Sequence, residues 1–345
     1  MSTRKRMAVV LASHGEAESA RFIENYRVSL HTLDRASLLM HIPVPLRHFI
    51  SLSSSLKKRL RSGDAAGGSP QNRITRSQAE LLQRYLDSHP LSSEVEFDVK
   101  ATYSASEPAV ERVLSDTMGY DGQIVIPMSP VDNSLSCGLL CGHLEGYPPD
   151  ALHKVRVIGR LWTDEALLRA ITEHLFKSGR EIPGKSGDGK ALLLLFHGTL
   201  VRDRRGQAPT FRTGLEESAA FAKQLGSLIE ADTRNPWDTI EAAYLNHDVG
   251  GEWTKPSFED ACLSLEQRGF RQVTLFAAGY FSDGNETIHR AGMLARQKPE
   301  LGVASIPCLN DSPVFAGYLA GRVARAAVQI LGFSGEAASD AVTFG

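Results

Sequence analysis

The chain has 345 residues, of which 42% are hydrophobic and 23% are charged, a composition typical of a globular protein. Lys and Arg total 38 against 40 Asp and Glu, and this near-balance argues against nucleic-acid binding, which favours a basic excess. The longest apolar run, residues 191–196, is far shorter than the ~20 residues of a membrane span. Because four cysteines are too few for a disulfide scaffold and no signal peptide is recognisable, a cytoplasmic location is expected.

Two apolar runs of strand type each end in His-Gly, and each opens one half of the chain. Residues 9–12 lead through Ser13 to His14 and a glycine, and residues 191–196 lead directly to His197 and a glycine. Such a repeated pattern predicts a duplicated architecture in which each half begins with a buried strand.

A second pair of segments repeats in the same order. Helical patterns over residues 107–119 and 258–269 both end in glycine, and apolar strands over residues 123–127 and 272–276 follow them. Continuous apolar strands alternating with helices indicate parallel sheets covered on both faces. The predicted fold is therefore α/β, with two similar Rossmann-like lobes, each a parallel sheet flanked by helices.

Helix and linker signals complete the predicted organisation. Thr75 is expected to cap a helix that runs to His89, and Thr163 precedes the start of another. Residues 178–190 are rich in Gly, Ser and Lys and poor in apolar side chains, which is typical of a linker. The predicted domains are an N-terminal lobe over residues 1–177, the linker, and a C-terminal lobe over residues 191–345.

Ligands of open parallel sheets bind at the carboxyl ends of the strands, so polar residues directly after the apolar runs are the site candidates. The sequence contains neither the phosphate-binding glycine motif after its first strand nor a P-loop. His197 is the strongest candidate, because a neutral imidazole after a buried strand can accept a proton or bind a metal. The other candidates are His14, Tyr103, Ser104, residues 129–136, residues 246–248, and residues 282–286.

Each of the other candidates also has a structural interpretation. His14 can serve as a hydrogen-bonded spacer, and Asp283 and Glu286 can favour the positive end of a helix. Cys137 and Cys141 invite a zinc assignment, but structural zinc sites need four ligands and no matching pair exists. The residues alone leave these alternatives open.

In the second half of the chain, residues 273–288 contain an apolar strand followed by Gly-Tyr-Phe, Ser-Asp and Glu-Thr-Ile, and this succession resembles the signature of the ferrochelatase family. Residues 191–200 resemble its strand ending in His-Gly, and residues 244–256 resemble its segment containing Trp and Pro. Residues 307–313 are similar to its Pro-Cys-Leu-Asn motif.

The first half resembles the same family more loosely. Residues 67–79 are similar to its Gly-Gly-Ser-Pro and Ile-Thr-Gln stretch, and residues 103–111 to its Tyr-Gly-Pro-Glu segment. The resemblance spans residues 8–331 in the right order. Residues 13–18 depart from it, because the family's Gly-rich step with proline and tyrosine is replaced by Ser-His-Gly-Glu-Ala-Glu.

The resemblance implies an enzyme of haem biosynthesis that inserts ferrous iron into a porphyrin and releases two pyrrole protons. It assigns His197 as proton acceptor and metal ligand, and Glu286 as the facing carboxylate and second metal ligand. Substrate-binding residues would be His14, Tyr103, Ser104, Ser282 and Asp283. No cofactor is expected, Fe²⁺ being a substrate, and the C-terminal iron–sulfur cluster of some relatives is expected to be absent.

Two alternatives and one further partner stay open at this level. The His-Gly at both strand ends resembles short cobalt chelatases, so a chelatase for sirohydrochlorin, cobalt or nickel is an alternative. The altered residues 13–18 also allow a non-catalytic tetrapyrrole-binding protein. Expected partners are the porphyrin and iron, with no nucleic acid and no transmembrane segment, and a peripheral contact with a membrane or a haem-pathway protein is a further option.

Overall fold

The computed structural model describes residues 4–62, 68–179, 189–247, 250–297 and 301–332. Two compact units make up the chain. Unit 1 comprises Met1–Met128, Leu135–Gly159 and Asn310–Gly345, and unit 2 comprises Ser129–Ser134 and Arg160–Leu309. Residues 180–188, most of the predicted linker, lie outside the described part, as do residues 333–345.

Unit 1 begins with the first apolar strand and continues with three long helices. Its elements are β1 (Lys5–Ser13), α1 (Phe22–Ala36), α2 (Val44–Ser62), α3 (Gln71–Asp87), β2 (Val95–Tyr103), α4 (Val110–Asp116), β3 (Gly122–Pro127), α5 (Leu139–Leu144), α6 (Pro149–Leu152) and β4 (Val155–Val157). The strands form one parallel sheet in the order β2-β1-β3-β4. Residues 7–11 of β1 are fully buried because both faces of this central strand are covered.

Unit 2 repeats this alternation of strands and helices. Its elements are α7 (Glu165–Gly179), β5 (Gly189–His197), β6 (Leu200–Arg202), α8 (Leu215–Ala231), β7 (Thr239–Leu245), β8 (Glu252–Trp253), α9 (Phe258–Gln267), β9 (Phe270–Phe276), α10 (Ala291–Arg296) and β10 (Gly302–Ile306). The parallel sheet has the order β7-β5-β9-β10, and β6 pairs with β8 in a separate antiparallel ribbon.

The two parallel sheets have the same topology. In each sheet the first strand of the unit lies between the second and the third, and the fourth lies beside the third. A right-handed crossover through a helix is the usual way to connect such parallel neighbours. The predicted α/β architecture of two similar lobes is confirmed, and the two His-Gly sequences follow corresponding strands, β1 and β5.

The last helix, α11 (Pro313–Leu331), returns to unit 1, where it packs against α3 and β3. Ser312 caps it by accepting a hydrogen bond from the backbone N–H of Phe315, and nine of its side chains are buried. Among the described residues it is the one helix long and apolar enough to cross a membrane, although half of that stretch is buried within the protein.

The observed boundaries differ from the sequence predictions in several places. Thr75 does not cap its helix, since α3 already begins at Gln71 and the Thr75 hydroxyl donates to the Gln71 carbonyl within it. The helix expected over residues 107–119 is shorter and begins at Val110. Residues 310–332 belong to unit 1 rather than to the predicted C-terminal lobe, because the apolar face of α11 is covered by α3 and β3.

Candidate active site

His197 is the last residue of β5, at the carboxyl edge of the unit 2 sheet. The strand is buried from Ala191 to Phe196, and the imidazole is the first exposed side chain after it. The neighbouring Gly198 donates its backbone N–H to the Leu245 carbonyl, which joins the ends of β5 and β7. A Cβ at position 198 would lie 1.9 Å from Oδ1 of Asn246, so this close approach of the two strand ends requires glycine.

A second histidine, His247, follows β7 and contacts His197 directly. Their Nε2 atoms are 3.0 Å apart, within hydrogen-bonding distance, and their ring centroids are 5.0 Å apart. His247 also packs in a T-shaped arrangement against Trp253 of β8, with ring centroids 5.7 Å apart. Trp253 is held in place because β8 pairs with β6, the strand that follows Gly198.

Glu286 and Arg290 lie on a single π-helical turn, Asn285–Arg290, that follows β9. Oε1 of Glu286 is 4.0 Å from Nε2 of His247, and Oε2 is 3.6 Å from Nε of Arg290. Nη1 of Arg290 is 3.4 Å from Nδ1 of His247. Single π-helical turns often occur at functional sites, and this one places a carboxylate and a guanidinium beside the histidine pair.

The environment of His247 keeps its imidazole neutral at physiological pH. Burial, followed by the charges of His197 and Arg290, lowers the pKa of His247 to about 4. A neutral imidazole retains a lone pair on one ring nitrogen, and that lone pair can accept a proton or bind a metal. The group therefore combines two imidazoles, a carboxylate and a guanidinium at one sheet edge.

Ser282 and Asp283 lie at the beginning of the same loop, as predicted, but both are engaged in the fold. Ser282 is buried, and Oδ1 of Asp283 accepts hydrogen bonds from the Thr287 hydroxyl and from the backbone N–H of Cys308. These bonds tie the π-helical turn to the segment after β10. Their geometry gives Asp283 a structural role, while its predicted contact with substrate stays a prediction.

The candidates from the first half of the chain lie together in unit 1. His14 follows β1 and is exposed, with Nε2 3.4 Å from the Thr32 hydroxyl. The backbone N–H of Ser104 donates to the carbonyl of His14, which joins the ends of β1 and β2. Tyr103 is completely buried, and its hydroxyl donates to the carbonyl of Asn72. Thus the strand ends gather His14 and Ser104 at the sheet edge, whereas Tyr103 points into the core.

Sequence reasoning missed two members of the unit 2 group. His247 was among the polar residues after a strand but received no role, and Arg290 was not considered. The signal for His247 was its position directly after a strand that adjoins β5, where parallel strand ends meet. Arg290 comes one helical turn after Glu286, a spacing that places both side chains on one face.

The two cysteines in α5 and the turn before it do not gather further metal ligands. Sγ of Cys137 and Sγ of Cys141 are 3.8 Å apart. Within the part of the chain that the structure describes, no group of three or more His, Cys, Asp or Glu side chains is arranged to hold a metal ion. Cys262, in α9, is buried in the core of unit 2.

Comparisons with known proteins identify the family. The ferrochelatase family profile matches residues 6–327 of this chain. The chain belongs to the ferrochelatase family. A ferrochelatase from Neisseria meningitidis serogroup C is 26% identical, with 90% of each chain covered. One from Gloeothece citriformis is 22% identical, covering 91% of this chain and 81% of that one.

A solved structure is similar to this ferrochelatase-family chain at lower identity. SirB from Bacillus subtilis, determined with Fe³⁺, is 12% identical and aligns over 95% of this chain and 98% of its own, with a TM-score of 0.45. The family assignment rests on the match over residues 6–327 and not on this distant structure.

Proposed function

We propose that the protein is a ferrochelatase that inserts Fe²⁺ into a porphyrin in haem biosynthesis. Membership of the ferrochelatase family over residues 6–327 is the observation that carries this proposal. The group of polar side chains at the carboxyl edge of the unit 2 sheet supports it, because open α/β sheets bind their ligands at this edge.

His197 is proposed as the proton acceptor. Metal insertion displaces two protons from the pyrrole nitrogens, and the lone pair of a neutral imidazole can accept a proton. The exposed position of His197 at the end of a rigid buried strand supports this role. The same nitrogen lone pair can bind the incoming iron, so His197 is also proposed as a metal ligand.

Glu286 is proposed as the facing acid. Its carboxylate lies beside both His247 and Arg290, where it can offset the charge of an incoming dication or carry a released proton towards solvent. His14, Ser104, Tyr103, Ser282 and Asp283 remain proposed substrate-binding residues. His14 and Ser104 have the better support, because both lie at a strand end, at the edge of the unit 1 sheet.

Substitution of the two principal residues tests the proposal. His197→Ala and Glu286→Gln should each lower the rate of Fe²⁺ insertion, measured by porphyrin absorbance, by at least ~100-fold, the size of a lost acid–base contribution. His289→Ala is the matched control, since His289 is exposed on the same turn as Glu286. Full activity in both principal variants would refute their assignment, and tight haem binding without turnover by the unaltered protein would favour a non-catalytic carrier.

A chelatase for another tetrapyrrole is the second candidate. His14 at the end of β1 corresponds in topology to His197 at the end of β5, and this repeated histidine favours a cobalt or nickel chelatase acting on sirohydrochlorin. Assays of metal insertion with a porphyrin and with sirohydrochlorin, each offered with Fe²⁺, Co²⁺ and Ni²⁺, distinguish the two candidate functions. The proposal includes no cofactor, and it places the protein in the cytoplasm.

A peripheral membrane contact is proposed for α2, whose buried face is polar and whose exposed face is apolar. Ser51 and Ser55 are buried, whereas Phe49 and Leu60 are 66% and 77% exposed. An exposed apolar face of this kind marks an interaction surface. The exposed Lys57 and Arg59 near the end of α2 would attract an anionic lipid surface, so we assign this face to the membrane.

A further inference from the structure

The distance between the Nε2 atoms of His197 and His247 equals the separation expected for two nitrogens bound side by side to one cation. Their Nε2 atoms are 3.0 Å apart and both belong to unit 2, at the ends of neighbouring strands. Two nitrogens bound to one cation at about 2.1 Å and at right angles would be separated by about 3.0 Å. The pair therefore matches two adjacent positions around a divalent cation without movement of either strand.

Imidazole is a suitable ligand for the cations that a chelatase handles. Iron, cobalt, nickel and zinc all accept imidazole nitrogen, and the lone pair must be free of a proton. His197 and His247 each present Nε2 to the other at 3.0 Å, so both nitrogens face the space that a cation would occupy. The orientation of the His247 ring is restricted by its T-shaped contact with Trp253 and by the hydrogen bond that joins the ends of β5 and β7.

Arg290 opposes tight binding at this pair. A cation on Nε2 of His247 requires the ring hydrogen to lie on Nδ1, the nitrogen 3.4 Å from Nη1 of Arg290. A guanidinium has only donors, so the metal-bound form would place two N–H groups against each other and two positive charges close together. Metal-bound histidines usually donate this second N–H to a hydrogen-bond acceptor, but the neighbour of His247 is the Arg290 guanidinium, which can only donate.

We propose that His197 and His247 together hold the incoming divalent cation through their two Nε2 atoms, and that Arg290 keeps this binding weak. Only two protein nitrogens are used, which leaves the other positions around the cation for water and for the nitrogens of the macrocycle. Weak binding suits a cation that is to be transferred rather than kept. The transfer, but not the binding, rests on the proposed chelatase function.

The test measures Co²⁺ binding to the full-length protein without any porphyrin. Co²⁺ binds nitrogen ligands somewhat more strongly than Fe²⁺ and its visible absorption reports its ligands. His247→Phe keeps a ring against Trp253 but removes both nitrogens, and it should weaken binding at least tenfold. Arg290→Met removes the charge and the donors, and it should strengthen binding several-fold, whereas Arg290→Lys keeps the charge and should change it less.

The outcomes separate the parts of the inference. Unchanged Co²⁺ affinity in His247→Phe would overturn the two-histidine site, and unchanged or weaker affinity in Arg290→Met would overturn the role of Arg290. If His247→Phe does not fold, NMR of the unaltered protein with Co²⁺ decides, because two paramagnetically shifted imidazole N–H signals are expected and a single one contradicts the proposal. The Co²⁺ titration contains no porphyrin, so it is independent of the iron-insertion assay. If the protein binds Co²⁺ as expected but inserts no iron in that separate assay, the proposed function is refuted and the metal site is retained.

Discussion

Single side chains after the strands divide into those that hold the fold and those that remain available for chemistry. Asp283 and Glu286 are three residues apart, yet Asp283 accepts a hydrogen bond from Cys308, whereas Glu286 lies beside His247 and Arg290. Sequence spacing could not distinguish the two carboxylates. The partner of Asp283 comes from another part of the chain, and only the folded sheet brings it near.

Substitution of Tyr103 tests whether its side chain stabilises the fold or contacts the substrate. Tyr103→Phe removes a buried hydroxyl that donates to the Asn72 carbonyl, so the free energy of unfolding should fall by about 1 kcal/mol in urea denaturation. The KM for porphyrin tests the proposed substrate-binding role separately, because a fully buried hydroxyl that acts only in the fold leaves the KM unchanged. A raised KM with unchanged stability would instead support the predicted role of Tyr103 in substrate binding.

Whole elements were predicted best where burial was continuous. The strands that became β1, β3, β5 and β9 were recognisable because parallel strands covered on both faces contain near-continuous apolar runs. The capped helix α9 was also recognised, and Ser257 caps it. The surface of α2 was less predictable, because its buried face is polar, with Ser51 and Ser55, and its exposed face carries large apolar side chains.

The exposed face of α2 supplies a prediction about membranes. Replacing Phe49 and Leu60 by serine should lower binding to vesicles containing an anionic lipid by at least tenfold, since each large apolar side chain buried contributes about 1.5–3 kcal/mol. Co-sedimentation with the vesicles measures the effect, and uncharged vesicles should bind less of the unaltered protein. Leu228→Ser in α8 is the control, and an equal loss there, or no loss in the double variant, would argue against this surface.

At the scale of the whole molecule, the chain has two units with the same sheet order, and its end returns to the first. The parallel character of both sheets follows from the repeated alternation of strands and helices, which the sequence contains. The packing of α11 in unit 1 does not follow from the sequence, because an apolar helix face can cover a parallel sheet in either unit. Its observed packing against α3 and β3 places α11 in unit 1.

A core substitution in α11 tests this assignment. Leu319 is buried and lines a small space with Gln78 and Leu81 of α3, so Leu319→Ala should cost about 2–5 kcal/mol. Hydrogen exchange should show the loss of protection in β1 and β3, while β5 and β9 stay protected. Arg325→Ala, on the exposed face of α11, should leave exchange unchanged. Loss of protection in β5 and β9 instead would show that α11 stabilises unit 2.

The sequence by itself determined the α/β class, the duplication and the buried strands, and its resemblance to the ferrochelatase family implied the roles proposed for His197 and Glu286. The first three follow from local patterns, since burial, helix periodicity and strand ends are encoded over a few residues. The tertiary structure alone decided that His247 meets His197, that Arg290 lies behind His247, and that Asp283 is used in packing. Such contacts join strand ends and turns from separate segments, and their distances arise only when the parallel sheet has formed.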